Sequence, residues 1–418
     1  MSKERDIYKK LLFIIGVVKI IRAFRAKKIV TMGEKGEVSD GLLVLEEGKI
    51  VYVGPYKPEL VPESAKMFDF GDRTILPGLV DSHTHVGMHE EGEGWEGQDT
   101  NEMTDPVTPQ VKAVDGINPA GLGLQDAVNA GVTSVNTGPG SGNVIGGQFA
   151  AVKTAGSIVL DEILIREPTA MKMATGENPK RVYNEKDRIP STRMGTGAIL
   201  RNALFDARDY LERKEGNDED NSFKKDYKLE ALVPVIKGEL RAKIHAHRAD
   251  DIVTAIRVAD EFGLDYSIDH CTEGHKIVDF LAEHKADAVV GPSMTPRSKR
   301  ELVERTFKTP GILAEAGVRV AITTDSPVIP IQYLPLLAAF AVREGMDRED
   351  ALKAITINSA RIAGIDDRVG SLDPGKDGDF IVTDGSIFDL ENKVERVFIE
   401  GVEIDRSELP KSGKSRTF

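Results

Sequence analysis

From residue 76 to residue 365, short apolar runs alternate with helical stretches, and this alternation limits the possible folds more than any other feature of the chain. Strands are expected at 79–83, 133–136, 170–174, 242–245, 266–269, 288–290 and 318–323. Helices are expected at 119–130, 194–212, 250–262, 275–283 and 348–359, the last with Asp347 as N-cap. Repeated β–α units imply a parallel sheet covered by helices, and a (β/α)8 TIM-like barrel is the closed form of that size. The flanks follow another pattern. Lys28-Ile-Val-Thr-Met32, Gly41-Leu-Leu-Val-Leu45 and Lys49-Ile-Val-Tyr-Val53 are short strands separated by glycine and charge, and a similar pattern returns in Asp379-Phe-Ile-Val-Thr383 and Val394-Glu-Arg-Val-Phe-Ile399. The expected organisation is an α/β chain. It has an N-terminal extension (1–22), a first β-sandwich part (23–75), the barrel (76–365), a second β-sandwich part (366–405) and a tail (406–418). Both chain ends then build one small β-sandwich beside the barrel. The charged stretch 214–228 reads as a surface loop.

Charge removes one class of partner. The chain carries a net charge of −13 and no basic block, so phosphate-backbone binding is excluded and no nucleic-acid partner is expected. The single cysteine, Cys271, cannot form an internal disulfide and reads as a buried inert thiol; a cytoplasmic location is expected. The apolar run 11–18 is too short to span a bilayer, and no small-residue cleavage site follows it. It reads as an extension that packs on the body or lies at a subunit contact, so the expectation is a homo-oligomer with no membrane span.

The chemistry is carried by histidines. Of eight, five (His83, His85, His245, His247 and His270) fall at expected strand C-terminal ends, the face where barrel enzymes assemble their sites. In His83-Thr-His85 the two imidazoles share one side of a strand, because side chains alternate, and both can reach one divalent ion. Lys243-Ile-His-Ala-His-Arg248 contains a second His-x-His, and Tyr266-Ser-Ile-Asp-His-Cys271 ends on His270. Ala321-Ile-Thr-Thr-Asp-Ser326 ends on Asp325, which suits a metal ligand that also takes a proton from water and passes it to a leaving amine. Such a set fits hydrolysis by metal-activated water, with Zn²⁺ first for nitrogen donors. His275 reads as the start of a helix and His284 as a surface residue.

These segments together resemble the amidohydrolase superfamily, closest to its imidazolonepropionase-like and metal-dependent carboxypeptidase (prolidase-like) branch. The resemblance runs from about residue 25 to residue 403. It rests on Pro77-Gly-Leu-Val-Asp-Ser-His-Thr-His85 and on Gly370-Ser-Leu-Asp-Pro-Gly-Lys-Asp-Gly-Asp-Phe-Ile-Val382. The resemblance implies His83 and His85 as first-strand ligands, His245 as the fifth-strand ligand, and His270 as a second-ion ligand or catalytic group. It implies Asp325 as ligand and general base, and His247 as a group that orients the site or binds substrate. It also implies one or two ions, with a carbamylated lysine as a possible bridge. Met171-Lys-Met-Ala-Thr-Gly-Glu177 offers Lys172 for that bridge, one residue off the family spacing, and Glu177 is the rival.

The substrate loop of imidazolonepropionase itself is absent. In its place, Thr137-Gly-Pro-Gly-Ser-Gly-Asn-Val-Ile-Gly-Gly-Gln148 reads as a flexible loop over the metal, with Gln148 facing substrate. The long acidic stretch 88–119 reads as a lid or substrate wall. Arg181 and Arg248 are candidate forks for a substrate carboxylate. The expected activity is hydrolysis of an amide or cyclic amide C–N bond in a small molecule or peptide-like substrate. The alternatives are a deaminase on the same scaffold and a non-catalytic scaffold protein of the same fold.

Overall fold

A computed structural model of the chain describes residues 19–90, 92–216 and 223–407. The apolar run 11–18 and the tail beyond 407 lie outside the described residues. Two eight-stranded sheets organise what is described. The first is built from both chain ends. It contains β1 (Ile21–Val30), β2 (Glu37–Glu46), β3 (Lys49–Pro55), β4 (Lys66–Asp69), β5 (Thr74–Pro77), β14 (Phe380–Thr383), β15 (Val394–Ile399) and β16 (Val402–Glu403). β1 pairs along its length with β2, while its first half also pairs with β4 and its second half with β5. β5 in turn pairs with β14, which joins the N-terminal and C-terminal segments into one hydrogen-bonded sheet. Aromatic side chains pack together against it. Phe380 stacks on Phe398 with centroids 4.4 Å apart, and Phe24 meets both edge-on.

The second sheet runs in chain order through β6 (Leu79–Thr84), β7 (Val132–Thr137), β8 (Ile145–Lys153), β9 (Leu164–Ala174), β10 (Arg241–Ala246), β11 (Tyr266–His270), β12 (Asp287–Val290) and β13 (Val320–Ile322). It curls into a nearly closed barrel. β13 and β6 share no ladder, but Thr323 Oγ1 lies 2.6 Å from the His83 carbonyl and His85 N donates to the Ser326 carbonyl at 2.7 Å. Helices cover the outside. Helix Ala249–Phe262 shows how: Ile252, Ala255, Ile256 and Ala259 recur at helical spacing, are buried, and face the sheet. Gly263, at φ +67°, ends that helix in the left-handed conformation.

Several expectations change. β8 runs antiparallel to both β7 and β9, so the barrel is not a run of parallel units throughout. The link 138–144 is too short for a crossover, and a short link returns the chain as a hairpin. Residues 145–148, expected as loop, therefore lie in a strand. The expected helix 348–359 splits into Arg348–Ala354 and Ile357–Ile362 at Thr356, whose φ −137° and ψ −102° leave the helical region. Asp347 does cap the first piece, accepting from Glu349 N and Asp350 N. The stretch 214–228 is not a plain loop. Helix Arg193–Gly216 enters it, and Asp226 caps helix Tyr227–Ile236. No helix among the described residues is long and apolar enough to cross a membrane.

Candidate metal centre

The C-terminal ends of β6, β9, β10, β11 and β13 converge on a cavity of about 410 Å³. His83, His85, Lys172, His245, His247, His270 and Asp325 all line it. They form two groups. In the first, one oxygen of Asp325 (Oδ1) lies 3.3 Å from Nε2 of His83 and 3.3 Å from Nε2 of His85. Asp325 takes φ +53°, an uncommon conformation for a residue with a side chain, immediately after the strand that presents it. In the second group, His245, His247 and His270 pack with ring centroids 4.4 to 4.7 Å apart.

Backbone carbonyls fix the ring orientations. His85 Nδ1 lies 2.7 Å from the Gly138 carbonyl, and His270 Nδ1 lies 2.8 Å from the Gly291 carbonyl. A carbonyl only accepts, so in each ring Nδ1 carries the proton and Nε2 presents its lone pair to the cavity. Burial pushes the basicity of His245 and His247 well below the ordinary histidine value, and that of His270 down to about 3. These rings are therefore neutral near pH 7, the form that ligates metal. Burial alone would raise the Asp325 carboxyl, but the imidazoles of His270, His83 and His85 hold it well below the usual carboxylate range. Lys172 is fully buried, 3.4 Å from His83 Nε2 and 3.1 Å from Asp269 Oδ2. Burial lowers its affinity for a proton, against the pull of Asp269.

The donor set fits a divalent cation. Each group, His83/His85/Asp325 and His245/His247/His270, brings its ligand atoms within 4.8 Å of one another. Nδ1 of His83, both ring nitrogens of His245 and Oδ1 of Asp325 are buried without a hydrogen-bond partner. Orphaned buried polar atoms are costly, and a bound ion removes that cost.

Other expected site residues fall elsewhere. Glu177 opens helix Glu177–Asn184 and lines a neighbouring cavity instead, where its backbone N–H donates to Glu301. Arg248 lines that same neighbouring cavity and pairs with Asp250 at 2.9 Å. Gln148 points away from the ligands: its amide donates to the Pro109 carbonyl and ties β8 to the loop 88–119. That loop supplies Asn101 and Met103 to the cavity wall, whereas Trp95 is exposed. Arg181 lines the cavity. His89, His275 and His284 do not.

Sequence reasoning passed over several groups. Lys299 enters the cavity from the loop after β12 and donates to Asn178 Oδ1 at 2.6 Å, and Asn178 donates to Ser141 Oγ at 2.9 Å. Asp81, inside the first motif, accepts from the backbone of His83 and from Thr323 and Thr324. Asp269 and Lys243 form a fully buried ion pair behind the ligands. A lysine inside a buried strand was a signal available for Lys243, because such a charge requires a partner.

The Amidohydrolase family model matches residues 206–404 of the chain. An amidohydrolase from Thermotoga maritima MSB8, whose crystal structure is known, is 42% identical with a TM-score of 0.87. That likeness covers 91% of this chain and 99% of the other. The chain belongs to the amidohydrolase superfamily. An imidazolonepropionase of Streptococcus sanguinis (strain SK36) is 25% identical over 405 residues, covering 86% of this amidohydrolase and 87% of that protein, in line with an imidazolonepropionase-like branch. Amidohydrolase tasK of Hapsidospora irregularis is 28% identical over 390 residues. This amidohydrolase matches that protein over 86% of its own length but only 39% of the length of tasK.

Proposed function

We propose that this amidohydrolase is a metal-dependent hydrolase of an amide or cyclic amide C–N bond in a small or peptide-like molecule. Family membership and the names of its relatives support hydrolysis of a C–N bond. The observation that carries the metal dependence is the meeting of His83, His85 and the hydrogen-bond-free Oδ1 of Asp325. These three would hold one ion, and His245 with His270 a second; zinc suits such nitrogen-rich donors. Lys172, carrying a carboxyl group taken from CO2, would bridge the two. When bound, a divalent ion acidifies a water molecule and polarises the substrate carbonyl. Asp325 accepts the proton of the attacking water and returns it to the departing nitrogen. His247 stacks on His270 at 4.5 Å within the second group, and its Nδ1, 2.7 Å from Thr272 Oγ1, fixes its ring there.

Arg181 and Lys299 are the cavity's cations away from the ligand groups, and Asp325 is its one carboxylate. Glu301 and Glu185 stand behind Lys299 and Arg181 at 3.6 and 3.8 Å, so the two cations are the charges that face the cavity, and they favour a substrate bearing a carboxylate. We read the curled sheet from both chain ends as the small β-sandwich beside a TIM-like barrel, with the Phe24, Phe380 and Phe398 cluster as its core.

Metal analysis of the purified protein tests this reading, with assays on N-acyl amino acids, dipeptides and cyclic amides before and after chelation. A tightly held divalent ion in the wild type, and turnover lost on chelation and restored by zinc, are expected. A wild-type protein that binds no divalent ion overturns it.

A further inference from the structure

We propose that the buried pair Lys243–Asp269 is the positioning device of this site: it sets the ring of His83 and so decides which nitrogen His83 offers to an ion. The proposal rests on the metal-centre reading above. Asp269 ends β11 beside His270 and, in the parallel register, stands opposite His245. Both Asp269 and Lys243 are fully buried, and neither lines the cavity, so neither meets substrate or ion directly.

The geometry assigns each oxygen of Asp269 a task. Oδ1 accepts from Lys243 Nζ at 2.9 Å. Oδ2 lies 3.0 Å from His83 Nδ1 and 3.1 Å from Lys172 Nζ. The Lys172 ammonium, which only donates, lies 3.4 Å from His83 Nε2, so the proton belongs on Nδ1, the nitrogen nearest the Asp269 carboxylate although not aligned with it as a hydrogen bond. The lone pair is then on Nε2, the atom 3.3 Å from Asp325 Oδ1 in the cavity. His83 has no backbone carbonyl on its ring, unlike His85 and His270; the group nearest its Nδ1 is the Asp269 carboxylate, 3.0 Å away. A carboxylate behind a ligating imidazole both fixes the ring and strengthens its donor atom.

Lys243 keeps Asp269 in position. Lys172 also reaches Asp269, but Lys172 lines the cavity and would turn away to bridge two ions. Lys243 has no such alternative. Its ammonium rests 5.8 Å from the Phe149 ring centroid, and Asp269 is its ion-pair partner. It therefore holds the carboxylate at His83 whether or not Lys172 stays.

The test separates positioning from folding. Breaking a buried pair by removing one partner destabilises, whereas removing both is often tolerated, so the double variant D269N/K243M is compared with wild type. In metal-free protein labelled with 15N-histidine, His83 is expected to show a protected ring N–H resonance, assigned by its loss in H83Q. It is expected to vanish in D269N/K243M and to return at least in part in D269E. Zinc titration of the double variant is expected to show affinity weaker by about 10- to 100-fold, with the circular dichroism of the wild type kept. A double variant that binds zinc as tightly as wild type, or keeps the His83 N–H signal, overturns the proposal. If wild type binds no zinc, the metal-centre reading fails, while the N–H signal in metal-free protein still decides the role of the pair.

Discussion

Thr324 donates to Asp81 twice, from its backbone N–H at 2.9 Å and from its hydroxyl at 2.7 Å, both to the same carboxylate oxygen. The other oxygen accepts from Thr323 Oγ1 and His83 N. One buried side chain thus ties β6 to the end of β13, across the gap in the barrel ladder. The two sides of that gap carry His83 and Asp325, two residues on from Asp81 and one on from Thr324. Replacing Asp81 with alanine leaves buried donors without an acceptor, each costing about 1–3 kcal/mol. D81A is expected to lower the denaturant midpoint clearly and to weaken zinc binding. D81A with wild-type stability and zinc affinity would remove Asp81 from this role.

Asp377 gives the molecule an acid-sensitive joint. Its carboxylate is buried between Lys153 of β8, Arg368 and Lys49 of the end sheet. Burial alone would raise its pKa, but Arg368, Lys153 and Lys49 outweigh burial and depress it strongly. A depressed carboxyl stabilises the folded chain above its unfolded value of about 3.9, and that contribution fades as pH falls through the folded value. Unfolding followed by tryptophan-independent circular dichroism is therefore expected to show stability falling below about pH 4. D377N is expected to be less stable than wild type at pH 7 and to lose less on acidification. An unchanged acid slope in D377N would refute the assignment.

The parts of the site legible in the sequence are those set by strand alternation. His83 with His85, and His245 with His247, follow from the two-residue period, and their strand-end positions follow from the β–α pattern. β8 was not legible, because Ile145-Gly-Gly-Gln-Phe-Ala-Ala-Val-Lys153 is buried along its whole length and shows neither alternation nor a helical stripe. Its glycines suggested a loop. Lys299 and Asn178 escaped for another reason: they reach the cavity from loops whose path depends on tertiary packing, and no local period marks them. Arg248 shows the reverse error. It follows a ligand strand closely, yet its strand has ended and Asp250, two residues on, captures its guanidinium.

Lys299 and Arg248 therefore separate two kinds of cation. Lys299 lines the cavity with buried Glu301 3.6 Å behind it, while Arg248 lines a different one and is held bidentately by Asp250. For a carboxylate-bearing substrate, K299M is expected to raise KM by about 10-fold or more with kcat largely kept, as for a lost charge-assisted hydrogen bond of about 1.5–3 kcal/mol. R248M is expected to leave both constants near wild type. The same measurement on the neutral amide of that substrate is expected to show no effect of K299M. Equal KM changes in K299M and R248M would remove Lys299 from substrate binding.

Cys271 sits beside His270, and a thiol next to an imidazole invites a nucleophilic reading. Burial pushes this thiol up to about 12, so it stays protonated at neutral pH. Alkylation by iodoacetamide is expected only on unfolding, and C271A is expected to keep zinc and turnover. Rapid alkylation of the native protein, with loss of activity, would contradict this.

Asp325 carries two roles in the proposed chemistry, ligand and proton carrier, and they can be separated. Asparagine at 325 keeps an oxygen of similar placement but cannot take a proton at neutral pH. D325N is therefore expected to lose about 10²- to 10⁴-fold in kcat, the usual range for losing a general base. Its zinc content is expected to fall less, because His83 and His85 still converge on the same point. Any residual D325N activity is expected to respond to added small carboxylates such as formate, which can supply the missing base. A D325N protein with wild-type turnover would assign the proton transfer to another residue of the cavity, with His270 the first to test by H270N.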